Sequence, residues 1–144
     1  MAHQRADLLL EVLSEASLVV SCQTKFNPPD SEFELWLAAV ESMWSRPSGV
    51  RLLVCTDGGH LTRPQLDRLH AQKRPSPVTA IVSPSRSLRF FGSALTVFNP
   101  TIRCYAPAEL FAACVHIGVD SSYFRTVNGI VERLQAQLAL RESA

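Results

Sequence analysis

The stretch RLLVCTDGGHLTRPQLDRLH, residues 51–70, runs an apolar strand straight into Asp-Gly-Gly and then into a segment that opens like a helix. VRLLVCT shows no alternation of polar and apolar residues, as a strand covered on both faces requires. Thr62 stands where a helix N-cap belongs, Pro64 suits a first turn, and Leu66 and Leu69 are assigned to the inner face. Strand, tight turn and helix make one crossover unit, and the rest of the chain is read against it.

Upstream, DLLLEVL (7–13) and LVVSCQTK (18–25) flank SEAS and read as the two strands of a hairpin. Pro28 and Pro29 then break the chain, and a helix follows with Asp30 or Ser31 as N-cap and Ser31-x-x-Glu34 as a capping box. Phe33, Trp36, Leu37, Val40 and Trp44 share one stripe of it; Trp36 is expected to anchor the core and Trp44 to be partly covered. Downstream, VTAIVS is a second buried strand, and Leu88, Phe91, Leu95 and Phe98 fall at helical spacing before Asn99-Pro100. TIRCYA is the last strand, Pro107 starts a helix carrying Leu110, Cys114 and Ile117, and Gly118 stops it. The expected fold is therefore α/β: a mixed, mainly parallel sheet with an N-terminal hairpin, packed by helices, plus a C-terminal helix.

Residues 1–120 read as the α/β domain and residues 121–144 as a separate amphipathic helix bearing Val127, Ile130, Val131, Leu134 and Leu138. That stripe is too regular to leave in water, so it either folds back on the domain or faces another chain. Because the α/β unit looks complete by Gly118, the expectation is that the stripe forms the seam of a homodimer, with Gly129 permitting close backbone approach.

The 144 residues suffice for one self-sufficient core, and 47% hydrophobic with 19% charged residues is a globular composition. No apolar run approaches the ~20 residues of a bilayer span, and the N-terminus lacks the pattern of a signal peptide, so a cytoplasmic location is expected. Cys22, Cys55, Cys104 and Cys114 are widely spaced among apolar neighbours, with no Cys-x-x-Cys pair; they read as buried, reduced and structural, and neither metal nor cofactor is expected. Charge is uneven: residues 63–103 hold seven Lys/Arg (Arg63, Arg68, Lys73, Arg74, Arg86, Arg89 and Arg103) against Asp67 alone.

In open α/β sheets ligands sit beyond the carboxyl ends of the strands, which puts Asp57, Gly58, Gly59, His60 and Thr62 where chemistry usually occurs. Three readings compete there. Gly58 and Gly59 could supply amides to an anion together with Arg63, Arg86 or Arg89, Arg86 and Arg89 being one helical turn apart. Asp57 and His60 could form an acid/base pair, although no nucleophile motif accompanies them. Or the glycines simply permit a tight turn whose amides Asp57 satisfies. His3, His70 and His116 form no ligand cluster.

The segments PPDSEFELWLAAV (28–40), LLVCTDGGHLTRPQLDRL (52–69) and the run from Pro77 to Val119 resemble the small bacterial STAS-like (SpoIIAA-like) proteins, over roughly residues 8–119. The resemblance implies a non-catalytic domain used in regulation or protein interaction. It also implies that the residue opening the helix after the central strand, here Thr62, is the place of a phosphorylatable Ser; the usual Asp-Ser-Ser-Gly-like stretch is replaced by Thr56-Asp57-Gly58-Gly59. The resulting expectation is a regulatory or adaptor domain with no catalytic residues, binding another protein through the basic block, including Arg68, Lys73 and Arg74. The alternative is capture of a small anion or lipid headgroup at the Asp57-Gly58-Gly59 turn. Nucleic acid is disfavoured, since no aromatic residues interleave the basic ones and net charge is only +1.

Overall fold

The computed structural model describes residues 6–72, 74–86 and 101–142. Of the helix expected over 86–98 only Arg86 is described; the remainder, with Arg89, and also Lys73 and His3, lie outside the described residues. Within them, β1 (Leu8–Leu13) and β2 (Leu18–Gln23) form the antiparallel hairpin, and β3 (Arg51–Thr56), β4 (Val78–Val82) and β5 (Ile102–Tyr105) continue the sheet in parallel. Spatial order equals sequence order, β1-β2-β3-β4-β5. The hairpin turns through a single 3-10 turn, Ser14–Ala16, and Ser17 closes it in the left-handed region at φ 49°.

The helices are α1 (Asp30–Trp44), α2 (Arg63–His70), α3 (Leu110–His116) and α4 (Phe124–Glu142). Consecutive crossovers stepping one way across a sheet with one hand put their helices on the same face. Accordingly Phe33, Trp36, Leu37, Val40 and Met43 of α1 pack on Val19 and Leu52, and Leu69 of α2 joins that cluster. Such a topology leaves the opposite face bare. Leu18, Val20 and Cys22 of β2, Leu53 and Cys55 of β3 and Ala80 and Val82 of β4 point there, and they are covered by Leu110, Ala113 and Cys114 of α3 and by α4.

This placement corrects the reading of the C-terminal stripe. Val127, Ile130, Val131, Leu134 and Leu138 are buried in the chain's own core, against β2, and are not available as the seam of a homodimer. Arg133 of α4 also pairs with Glu11 of β1 at 2.5 Å. Gly129 is exposed, and a Cβ there would meet nothing within 4 Å, so it mediates no close approach. No helix among the described residues is long and apolar enough to cross a membrane.

Two local expectations also change. The helix α1 begins at Asp30 with Pro29 in the N-cap position, so the Ser31–Glu34 box does not form. Glu32 instead accepts the amides of Asp7 and Leu8, both at 2.9 Å, tying the first strand to the helix, while Glu34 binds Arg68. In α2 the buried residue is Gln65, and Leu66 is exposed rather than on the inner face. Thr62 caps α2 as expected: its hydroxyl accepts the Gln65 amide and the Gln65 side chain accepts the Thr62 amide.

Candidate functional site

At the carboxyl end of β3 the Asp-Gly-Gly turn is knitted into the loop that follows β2. Asp57 N donates to the Gln23 carbonyl (3.2 Å), Gly58 N to the Thr56 hydroxyl (3.1 Å), Gly59 N to the Thr24 carbonyl (2.9 Å) and His60 N to the Asn27 side chain (3.1 Å). The Thr56 hydroxyl in turn donates to the Gly59 carbonyl at 2.6 Å. Every amide that was to cradle an anion is thus spent inside the chain, and the N-cap of α2 is closed by its own box. The anion-cradle reading of Gly58 and Gly59 is corrected on that ground: a backbone donor already satisfied gains little by exchanging its partner.

The glycines have a steric cause. Gly58 adopts φ +136°, a backbone that side chains rarely adopt. A Cβ on Gly59 would stand 2.1 Å from the Phe26 carbonyl oxygen and 2.7 Å from that of Thr24, so only glycine lets the two loops touch. Gln65 reinforces the junction from α2, its buried amide donating to the Pro28 carbonyl (2.9 Å) and to Asp30 (3.0 Å). The site is a latch between two loops, and Asp57 is left exposed at its edge.

The acid/base pair fares no better geometrically. His60 is exposed and its Nδ1 lies 2.9 Å from the Leu61 carbonyl, its own neighbour. His116 places Nε2 3.2 Å from the Thr101 carbonyl and packs beside Tyr105, a structural setting. No group of three His, Cys, Asp or Glu among the described residues could hold a metal ion.

Among the described residues the basic block is partly neutralised and its members are spread over both ends of the parallel strands. Arg68 forks onto Glu34 at 2.7 and 3.0 Å, which holds the Glu34 carboxyl below its ordinary pKa; Arg63 pairs with Asp67 at 3.3 Å. Arg74 covers the Trp44 ring, whose Nε1 donates to Pro75, at the amino end of the parallel strands. Arg63 and Arg86 lie at the carboxyl end, following β3 and β4, and Arg103 is exposed on β5.

The cysteines are free, three buried and Cys104 partly so. Cys22 stands opposite Cys55 in the β2–β3 register, and the hydrogen bond that the Cys55 thiol donates to Cys22, together with burial, pushes the Cys55 thiol well above its ordinary pKa. Burial raises Cys104 as well and pushes Cys114 up to about 11. Nucleophilic thiols are shifted the opposite way.

Sequence reasoning passed over two features. One is on α3, where Leu110, Ala113 and Cys114 face inward while Phe111 and Val115, one turn apart, remain 51% and 60% exposed. The Phe124 ring meets Phe111 edge-on at 5.1 Å and holds it in place. The outward spacing of two large apolar residues beside a helix's buried stripe was the available signal. The other is a crevice of about 390 Å³ beside Asp57, bounded by the carboxyl ends of β2–β4 and by α4. Nothing in the local sequence announces it, because its walls come from segments more than a hundred residues apart, such as Gln23 and Gln135.

No family description, no curated protein and no solved structure matches this chain.

Proposed function

We propose that this protein is a non-catalytic regulatory or adaptor domain that acts by binding another protein, with the outer face of α3 as the contact surface. The observation that carries the reading is the exposed pair Phe111 and Val115. An aromatic ring fixed by a neighbour yet half open to water loses little entropy on docking, and aromatic anchors of this kind dominate protein interfaces. The scaffold beneath suits that role: α3 is pinned to β4 and β5 by Leu110, Ala113 and Cys114, so the pair is presented on a rigid element. The resemblance to STAS-like proteins points to the same class of activity. The surface differs from the basic block first expected, since Arg63 and Arg68 already have carboxylate partners.

Site-specific photocrosslinking in the native cell tests the reading. A photoreactive side chain at position 115 is expected to capture one discrete partner, and the adduct is expected to vanish when Phe111→Asp is added. The same group at Glu41, exposed on α1 across the sheet, is expected to capture none of it. Identical adducts from both positions, or none from position 115, would overturn the assignment.

A further inference from the structure

The hairpin tip, at the amino end of the parallel strands, gathers two cations that no carboxylate among the described residues neutralises. Arg46, from the loop after α1, donates through Nη1 to the Ser14 carbonyl (2.8 Å) and the Ser17 hydroxyl (3.4 Å), and through Nη2 to the Ser14 hydroxyl (3.1 Å). Arg51, at the start of β3, donates through Nη1 to the Ala16 carbonyl at 2.9 Å. Both acceptor carbonyls belong to one 3-10 turn, Ser14–Ala16, so the two half-buried side chains are held side by side against the same short piece of backbone. Glu15, the carboxylate of that turn, is exposed and pairs with neither. The second observation is Ser17, the one non-glycine residue with a positive φ among the described residues, at 49°. Glycine or asparagine takes that conformation at less cost, and strain retained at one position points to a use for its side chain. The Ser17 hydroxyl is buried under Arg46 and lies 3.1 Å from the exposed Ser48 hydroxyl, so it positions the guanidinium from below.

We infer that the hairpin tip binds a phosphate group, as inorganic phosphate or as the terminal group of a small phosphomonoester, an activity that needs neither Phe111 nor Val115. Each guanidinium carries five donors, of which Arg46 uses three and Arg51 one. Charged N–H groups therefore remain for phosphate oxygens while the carbonyl contacts keep both forks in place. The exposed hydroxyls of Ser14 and Ser48 rotate freely enough to add neutral donors at the rim. The Asp-Gly-Gly turn differs in this respect, since each of its amides has a single proton already given to an internal acceptor. Two adjacent fixed positive charges favour a dianion over a carboxylate and repel amines.

The test is amide-resolved NMR titration of the full chain with inorganic phosphate and with glycerol phosphate at constant ionic strength, with acetate as the monovalent control. Saturable shifts are expected at Ser14, Glu15, Ser17 and Ser48 at roughly millimolar phosphate, the range of a fragment-sized ligand. Acetate is expected to leave those amides unmoved. Tighter binding of glycerol phosphate would mark the phosphomonoester as the ligand, and tighter binding of inorganic phosphate the free ion. Arg46→Lys, which keeps the charge but not the fork, and Arg51→Gln are each expected to weaken binding by about fivefold. Ser17→Gly relieves the backbone while removing the hydroxyl, so it should weaken binding by about threefold with the thermal midpoint unchanged or raised, whereas a merely structural serine would move the midpoint alone. Arg63→Gln, at the other end of the parallel strands, is expected to match wild type. Shifts that do not saturate, an equal response to acetate, unchanged affinity in both arginine variants at the tip, or the same loss in Arg63→Gln would overturn the inference.

Discussion

Gly59 and Gly129 are the same residue type under opposite constraints. At Gly59 the missing Cβ is what lets the β3 turn lie against the Thr24–Phe26 backbone, and an added methyl would collide at 2.1 Å with a carbonyl oxygen that cannot swing away. Gly59→Ala is therefore expected to cost about 3 kcal/mol, measured as a lower urea midpoint. Gly129 lies inside α4 with open space around it, so Gly129→Ala should raise stability by about 1 kcal/mol through helix propensity alone. Titration of the thiols gives a second expectation at this scale. The thiols of Cys55, Cys104 and Cys114 are raised in the folded chain, so the unfolded chain loses these protons first as the solution becomes alkaline. Stability is level on the acid side of the ordinary thiol range, about pH 8.5, and falls as pH rises through it. A denaturation midpoint that stays constant from about pH 7 to pH 10 would contradict the assigned burial.

Among the elements, α4 carries the most consequential assignment. Five of its apolar side chains cover Val20, Cys22 and their neighbours on the face that the crossover helices leave open. Deleting residues 121–144 is expected to leave a chain that does not unfold cooperatively and that binds hydrophobic dyes, because the exposed sheet face has no substitute cover. A truncated chain with a sharp transition near that of the full protein would show that α4 is a separable appendage. Among the described residues the element order, the strand assignments, the Thr62 cap, buried Trp36 and partly covered Trp44 were legible, since periodicity and capping are written within a few consecutive residues. What escaped depended on partners distant in sequence. Glu32 finds the Asp7 and Leu8 amides, Glu34 finds Arg68, and Gln65 finds Pro28 and Asp30, so none of them does what local spacing suggested. The C-terminal stripe was legible as apolar but not as intramolecular. Its fate follows only from a topology that leaves one sheet face bare.

For the whole molecule, the sheet separates two working surfaces. The α1 and α2 face is closed by its own packing and by the Glu34–Arg68 fork, whereas α3 presents Phe111 and Val115 outward on the other face. The Asp-Gly-Gly turn that opens the crossover from β3 to β4 latches two loops together, and binding is proposed elsewhere, on the outer side of α3. The measurement that bears most directly on that assignment is calorimetric titration of the partner captured at position 115 against wild-type protein, Phe111→Ala and Leu35→Ala. Leu35 is the control because it is 68% exposed on α1, across the sheet. The account predicts that Phe111→Ala weakens affinity by at least about tenfold, as loss of an aromatic anchor does, with Leu35→Ala equal to wild type. Equal affinities for all three proteins, or a loss confined to Leu35→Ala, would contradict it.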